Sequence, residues 1–261
     1  MRRWLKQWRE ARTLERRAIP EPLWQLTLAR FPFLGLRSDG DRALLRDMTT
    51  LFLAQKEFTG AHDLEVDDAM AVAIAAQACL PVLRLGLEWY DGFVGIVVHA
   101  DAVVASREFV DDAGVVHAYD EELSGEAMQG GPVMLAWSDV DDAGDSAEAG
   151  YNVVIHEFAH ILDMRDGLAD GVPPLGDRRL RDAWVQVLDA EYDRFCERID
   201  AGDETLLDPY AAEAPEEFFA VAAEAFFVAP LALRNEHPEL YELLGGFFRQ
   251  DPAAEASRAV R

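Results

Sequence analysis

Cysteine is scarce in this sequence, which has only Cys79 and Cys196 among its 261 residues. The two stand far apart, each in a segment of apolar pattern. Two thiols in a chain of this size do not form the disulfide framework that holds small secreted domains together. We therefore predict that both are reduced residues of the core.

Long hydrophobic runs are also missing. Half of the residues are hydrophobic, enough for a packed core, but they never form the uninterrupted stretch of about 18 residues that a membrane-spanning helix needs. The basic start of the chain is not followed by the apolar run of a signal peptide. The sequence thus predicts no membrane span, and the cytoplasm is the expected compartment.

Basic residues are outnumbered, because 24 Lys and Arg stand against 49 Asp and Glu and the formal net charge is −25. A surface this acidic repels phosphate backbones, so direct nucleic-acid binding is not expected. Neutral or basic partners are favoured instead, and peptides or proteins are the expected class.

The segment 1–17 departs from this balance, since it carries seven Arg or Lys against Glu10 and Glu15. Trp4 and Trp8 are about one helical turn apart, which predicts an N-terminal helix. Two interpretations stay open. The helix packs on the body of the protein, or it is an arm that binds an acidic surface of the chain itself, of a partner or of a membrane.

Signatures of two other enzyme classes are absent: the sequence has no Gly-rich phosphate loop and no serine nucleophile elbow. The acidic run 139–145 is similar in composition to a calcium-binding loop, with Asp139, Asp141, Asp142 and Asp145. However, Ala143 stands where an oxygen ligand belongs, and the closing spacing is missing. We predict a solvated loop there.

Apolar residues that recur every three or four positions predict helices over most of the chain. Asp67 and Pro81 mark the two ends of an alanine-rich helix, and the first 80 residues are predicted to be wholly helical. The predicted helices cover 22–33, 39–58, 67–79, 151–163, 178–199, 215–228 and 238–249.

Three short β-branched segments, 93–99, 115–119 and 133–137, predict a small and mostly antiparallel sheet. The expected fold class is therefore α+β and mainly helical. We divide the chain into a helical N-terminal region, 1–90, and a second region, 91–261, packed together as one compact unit.

The strongest chemical signal is the motif His156-Glu157-Phe158-Ala159-His160 within the helix 151–163. Residues four apart project from one helix face, so the two imidazoles can share a tetrahedral Zn²⁺. Glu157 is turned toward the same cleft, where a carboxylate can take a proton from an activated water. The neighbouring residues are apolar, and buried polar groups need partners that a metal supplies.

A catalytic zinc needs a third protein ligand, and the apolar helix 215–228 offers Glu217. Glu224 lies two turns further along the same face, where it would orient a ligand histidine. The alternative is that Glu216 and Glu217 only complement the dipole at the helix N-terminus.

Two further residues are candidates near the motif. Tyr210 precedes the helix of Glu217 and could donate a hydrogen bond to a developing oxyanion, or serve only as a structural residue. Asp163 could accept the second N–H of a ligand histidine, or cap the helix end. The other histidines, His62, His99, His117 and His237, are expected to be structural or exposed.

Several blocks together resemble the Mlc titration factor A family. The resemblance extends over residues 40 to 252, and the first 35 residues match poorly. The blocks that carry it are 80–86, 88–93, 131–137, 156–163, 208–212 and 217–221.

The resemblance implies a zincin-like metallopeptidase core, similar to that of anthrax lethal factor, in the region 91–261. It implies one zinc ion per chain with His156, His160 and Glu217 as ligands, Glu157 as general base and Tyr210 as oxyanion stabiliser. It also implies peptidase activity of aminopeptidase character. The rival function is that of a regulatory protein that sequesters a transcriptional repressor similar to Mlc, with peptidase activity secondary.

Overall fold

The computed structural model describes residues 2–110, 116–144 and 150–259. Side chains are described throughout these ranges except at 2, 3, 105–110, 116–122 and 259. The side chain of His117, residue 115 of the expected second strand and Asp145 of the acidic run therefore lie outside the described residues.

Helices account for most of this part of the chain, as expected. Prolines stand at the first turn of several of them, where their missing N–H costs nothing. The helices are α1 (Arg2–Arg17), α2 (Glu21–Arg30), α3 (Pro32–Gly35), α4 (Asp39–Gln55), α5 (Asp68–Cys79), α6 (Trp137–Asp142), α7 (Val153–Asp163), α8 (Arg178–Ala201), α9 (Pro215–Val228), α10 (Pro230–Glu236), α11 (Pro238–Phe248) and α12 (Pro252–Ala259).

The strands form a four-stranded sheet in the order β1-β2-β6-β5 and a separate antiparallel hairpin, β3-β4. The fold is mainly helical α+β, which confirms the expected class. The strands are β1 (Glu57–Gly60), β2 (Gly95–His99), β3 (Val103–Val110), β4 (Val116–Leu123), β5 (Gly125–Ala127) and β6 (Val133–Ala136).

The expected strand directions were wrong for the larger sheet. β1 and β6 both pair parallel to β2, and only β5 pairs antiparallel, with β6. Parallel neighbours need long crossover connections. The chain supplies them, because α5 connects β1 to β2, and the β3-β4 hairpin with β5 intervenes between β2 and β6. β6 is therefore paired on both sides, and β5 is an edge strand.

Two local predictions were also wrong. The first 80 residues are not wholly helical, because α4 ends at Gln55 and β1 follows at once. The acidic run is not a loop throughout, since Trp137–Asp142 forms α6. Asp139 is held there by the hydroxyls of Ser124 and Ser138, at 3.2 and 3.1 Å.

The helix α7 packs against α5, α9, β5 and β6. From Val72 to Cys79, α5 is entirely buried, because its small side chains allow close approach. The ring of Phe158 on α7 contacts those of Phe52, Tyr90 and Phe93, with centroids 5.0–5.8 Å apart. These contacts fix the position of the helix that carries the motif.

Both cysteines are free thiols, with Cys79 buried and Cys196 partly exposed. Among the described residues, no helix combines the length and the apolar character that crossing a bilayer requires.

Candidate metal centre

The motif helix α7 begins at a specific cap. The side-chain Oδ1 of Asn152 accepts the backbone N–H of Ile155 at 2.9 Å, as an N-cap residue does. One turn into the helix, the rings of His156 and His160 face each other with centroids 4.8 Å apart. The four-residue spacing thus places both imidazoles on one face, as the sequence predicts.

Three atoms converge on this face. The Nε2 atoms of His156 and His160 are 3.1 Å apart, and Glu217 Oε2 lies 3.1 and 3.4 Å from them. Ligands about 2.05 Å from a tetrahedral zinc are about 3.3 Å from one another, close to these separations. Glu217 Oε2 is buried and has no well-directed hydrogen bond from the protein. The arrangement fits a metal ion with these three residues as ligands.

The electrostatics of Glu217 match this geometry. Burial by itself raises the pKa of its carboxyl, but the two adjacent imidazoles outweigh that effect and lower the pKa to about 2. Glu217 is therefore an anion across the physiological range. Glu217 does not merely complement the dipole at the start of α9, because its side chain is turned toward the histidines of α7.

Glu224, two turns along α9, supports the first histidine. Its Oε1 lies 2.8 Å from His156 Nδ1, and its Oε2 accepts the backbone N–H of Asn152. A carboxylate on Nδ1 fixes the imidazole tautomer with the proton on Nδ1 and leaves Nε2 free to bind a metal. Glu224 is fully buried, so these two contacts replace its hydration.

The buried polar chain continues beyond Glu224 to residues that the sequence analysis missed. Asn152 Nδ2 donates to Gln77 Oε1 at 2.7 Å, and Gln77 Nε2 donates to the carbonyl of Ala73 at 3.2 Å. Both side chains are completely buried. The lone glutamine in the alanine-rich helix α5 was the available signal, since a buried amide requires partners.

Glu157 lies beside the three converging atoms and is 5% exposed. Burial raises the pKa of its carboxyl to about 7, although the two histidines oppose the shift. The backbone of β5 comes very close, because a Cβ built on Gly125 would stand 2.4 Å from Glu157 Oε1. Only glycine at position 125 leaves this carboxylate in its observed position. No local signal in the sequence indicated this requirement.

Tyr210 lies in a 3-10 turn formed by Pro209–Ala212. Asp208 caps this turn by accepting the backbone N–H of Tyr210 at 2.8 Å. The tyrosine side chain is 38% exposed, and its ring centroid is 6.2 Å from that of His156. Its phenol thus stands at the border between the site and solvent.

Asp163, at the end of α7, accepts a backbone N–H rather than a histidine ring N–H. Its Oδ2 receives the N–H of Gly171 at 2.9 Å, and the carbonyl of Gly171 accepts Trp184 Nε1 at the same distance. Gly171 has φ +73°, and a Cβ there would lie 2.6 Å from the carbonyl of Pro215. The interaction anchors the loop after α7 against α8 and the start of α9.

The remaining described histidines lie apart from this site. His237 is buried, with Nδ1 2.9 Å from Glu191 Oε2. His62 and His99 face each other with ring centroids 5.7 Å apart, near the ends of β1 and β2.

A cavity of about 470 Å³ opens onto the motif. Polar groups of His156, Glu157 and Tyr210 reach its wall beside apolar side chains. The apolar lining residues are Leu123, Val153, Leu206, Leu207, Pro209, Val221 and Ala225. Cavities of this size and mixed lining accommodate small molecules or a few peptide residues.

Comparison with known proteins identifies relatives over most of the chain. A family model described as glucose-regulated metallo-peptidase M90 matches residues 5–249. Proteins named Mlc titration factor A from Cronobacter sakazakii and Escherichia coli are 38% and 36% identical, over 232 and 255 residues. These alignments cover 88% and 97% of this chain and 86% and 94% of the relatives.

An uncharacterised Synechocystis protein is similar to the same extent. It is 37% identical over 251 residues, which cover 95% of this chain and 90% of its own length. The residues matched by the family model include α7 and α9, which carry the site. The chain belongs to the glucose-regulated metallo-peptidase family M90.

Proposed function

We propose that this metallopeptidase is zinc-dependent and hydrolyses peptide bonds with Glu157 as general base, in the manner of an aminopeptidase. The observation that carries the proposal is the triangle of His156 Nε2, His160 Nε2 and Glu217 Oε2, with 3.1–3.4 Å sides and a buried carboxylate beside it. When bound, zinc supplies Lewis acidity that activates water and polarises a carbonyl.

Glu157 is the proposed general base and, later in the reaction, the general acid. Its carboxylate accepts a proton from the attacking water and passes it to the leaving amine. A pKa of about 7, raised by burial, suits both steps, because the group can bind and release a proton near neutral pH.

Tyr210 is proposed as the oxyanion donor. Its ring stands beside His156, and its partial exposure leaves room for the phenol to approach a substrate carbonyl. Such a donor stabilises the charge that develops on the carbonyl oxygen in the transition state.

The peptide would lie along β5. β6 is paired with β2 and β5 on its two sides, so neither of its edges is open to a peptide. β5 is the edge strand next to Glu157, and an extended peptide can add to such an edge through backbone hydrogen bonds. The limited cavity supports removal of one or a few residues from a peptide end.

The test is the substitution Glu157→Gln, which preserves shape and removes the base. Zinc content should stay at one equivalent per chain while turnover of short peptide substrates falls by about 10² to 10⁴. Glu216→Gln, on α9 but outside the triangle, is the matched control and should retain activity. Undiminished hydrolysis by the Glu157 variant would refute the mechanism.

The ligand set has its own test in Glu217→Ala. Removal of one of three ligands should reduce the bound zinc to well below one equivalent, whereas the Glu216→Ala control should keep it. Equal zinc content in the Glu217→Ala and Glu216→Ala variants would mean that a residue other than Glu217 is the third ligand.

A second candidate function is sequestration of a transcriptional repressor similar to Mlc. The names of the relatives favour it, since Mlc titration factor A denotes a protein that titrates Mlc. A net charge of −25 also suits a partner whose basic surface binds DNA. The test is binding of a purified Mlc-type repressor to wild type, to Glu157→Gln and to protein stripped of metal by a chelator. Binding by all three would separate this function from peptidase activity. Absence of binding to wild type would reject the function.

A further inference from the structure

The N-terminal helix α1 exposes large apolar side chains to solvent. Trp4, Leu5 and Trp8 are 66%, 45% and 48% exposed. At about 100° per residue they lie within roughly 100° of one another on the helix surface. Thr13 and Leu14 are partly buried and lie on the other side, and α1 packs against α4. An exposed apolar patch of this kind indicates an interaction surface.

The charge of α1 is opposite to that of the rest of the chain. Residues 1–17 carry a formal charge of +5, and the remaining residues carry −30. Of the two acidic residues of the segment, Glu10 lies 3.9 Å from Lys6 across one helical turn. The helix thus presents a concentrated positive charge to a partner.

Arginines stand beside the tryptophans and line a recess. Arg12 lies 5.2 Å from the centroid of the Trp8 ring, a cation–π contact. Together with Arg9, Arg16 and Arg17 it borders a recess of about 380 Å³ against Ala54 of α4. Guanidinium groups grouped in this way bind phosphate oxygens through paired N–H donors.

We infer that α1 is a peripheral membrane helix that lies on anionic phospholipid bilayers. Trp4, Leu5 and Trp8 enter the boundary between headgroups and acyl chains, and the arginines bind the lipid phosphates. A bilayer surface accommodates both the arginines and the two exposed indoles with their leucine, whereas a DNA duplex would satisfy only the arginines. The repulsion between the acidic remainder and an anionic surface decays over a Debye length of about 8 Å at physiological ionic strength, so distant carboxylates oppose contact only weakly.

The experiment uses the full-length chain and sedimentation with vesicles. One set of vesicles is phosphatidylcholine, and the other also contains phosphatidylglycerol, whose charge gives the surface the negative potential that attracts basic segments. The variants are Trp4→Ser with Trp8→Ser, and Arg12→Glu with Arg16→Glu. Leu180→Ser and the pair Arg178→Glu with Arg179→Glu, exposed on α8, are the matched controls.

Wild type should bind the anionic vesicles, weakly and reversibly, and the neutral vesicles at least tenfold less. Each basic residue near the surface contributes about fivefold, so the arginine pair should lose tenfold or more, and the tryptophan pair a similar amount. The α8 controls should bind as wild type does. Zinc content should be unchanged throughout, because α1 is separate from the metal centre.

Three results would overturn the inference. The first is absence of binding to anionic vesicles, and the second is equal binding by the α1 variants and wild type. The third is α1-dependent self-association or DNA binding without vesicle binding, measured by sedimentation velocity and with a labelled DNA duplex.

Discussion

Glu224 connects the start of α7 to a candidate ligand, because one of its oxygens accepts the N–H of Asn152 and the other lies 2.8 Å from His156 Nδ1. A single carboxylate on α9 thereby fixes both the helix that carries the motif and the orientation of its first imidazole. The geometry of the three converging atoms depends on this contact.

Glu224→Gln should therefore weaken zinc binding without unfolding the protein. A neutral amide supports the imidazole less well and cannot accept from both partners, so we expect a 10- to 100-fold lower zinc affinity. Competition with a chromogenic chelator measures it. The control is Glu216→Gln, the same change on the same helix. Equal zinc affinities in the Glu224 and Glu216 variants would contradict the role of Glu224 in supporting His156.

Gln77→Leu should destabilise the fold at a distance from the candidate ligands. The change leaves the buried Nδ2 of Asn152 without its acceptor at 2.7 Å, at a cost of about 1–3 kcal/mol in the free energy of unfolding. Urea titration measures the loss. Gln25→Leu on the exposed face of α2 should change stability by no more than about 0.5 kcal/mol. Comparable losses in both variants would argue against the buried network.

Gly125→Ala should reduce activity while the zinc content stays normal. The new Cβ would fall 2.4 Å from Glu157 Oε1, so the carboxylate must move, and a displacement of about 1 Å costs on the order of 10²-fold in rate. Gly176→Ala is the control, because a Cβ there meets no atom within 4 Å. Full activity in the Gly125 variant would show that the exact position of Glu157 does not matter.

Lys56 should make stability rise with pH. Its ammonium donates to the carbonyls of Tyr90 and Phe93, both at 2.5 Å, and burial lowers its pKa from 10.5 to about 8. Between these values the unfolded chain holds more protons than the folded one. The contribution of Lys56 to the free energy of unfolding therefore increases with pH across that window, by at most about 1.4 kcal/mol per pH unit.

The measurement compares wild type with Lys56→Met by urea unfolding at pH 7.5, 8.5 and 9.5. The variant loses two hydrogen bonds at every pH, so only the difference in slope is informative. Wild type should gain stability relative to the variant as pH rises. Parallel pH profiles would mean that Lys56 titrates normally.

The parts of the site that follow local rules were predictable from the sequence. The spacing of His156 and His160 places them on one face of any helix, and an acid on a helix as apolar as α9 needs a partner, which pointed to Glu217. Both arguments use helical periodicity, and helices are determined largely by neighbours in sequence.

The parts that depend on distant pairing were not predictable. β1 contains one large apolar residue, Phe58, and its four residues form a strand because they pair with β2 nearly forty positions later. In the same way, the polarity of Gln77 indicated that it needed a partner but not that the partner is Asn152. The contact of Gly125 with Glu157 arises only from the packing of β5 on α7.

The three converging side chains come from two helices separated by more than fifty residues, so the unfolded chain has no site to offer a metal. Because the ion binds only the native state, its binding free energy increases the free energy of unfolding. At a free concentration a thousandfold above the dissociation constant this amounts to about 4 kcal/mol, a large part of the stability of an ordinary domain. The supply of metal would thus govern how much of this protein persists as well as how fast it works.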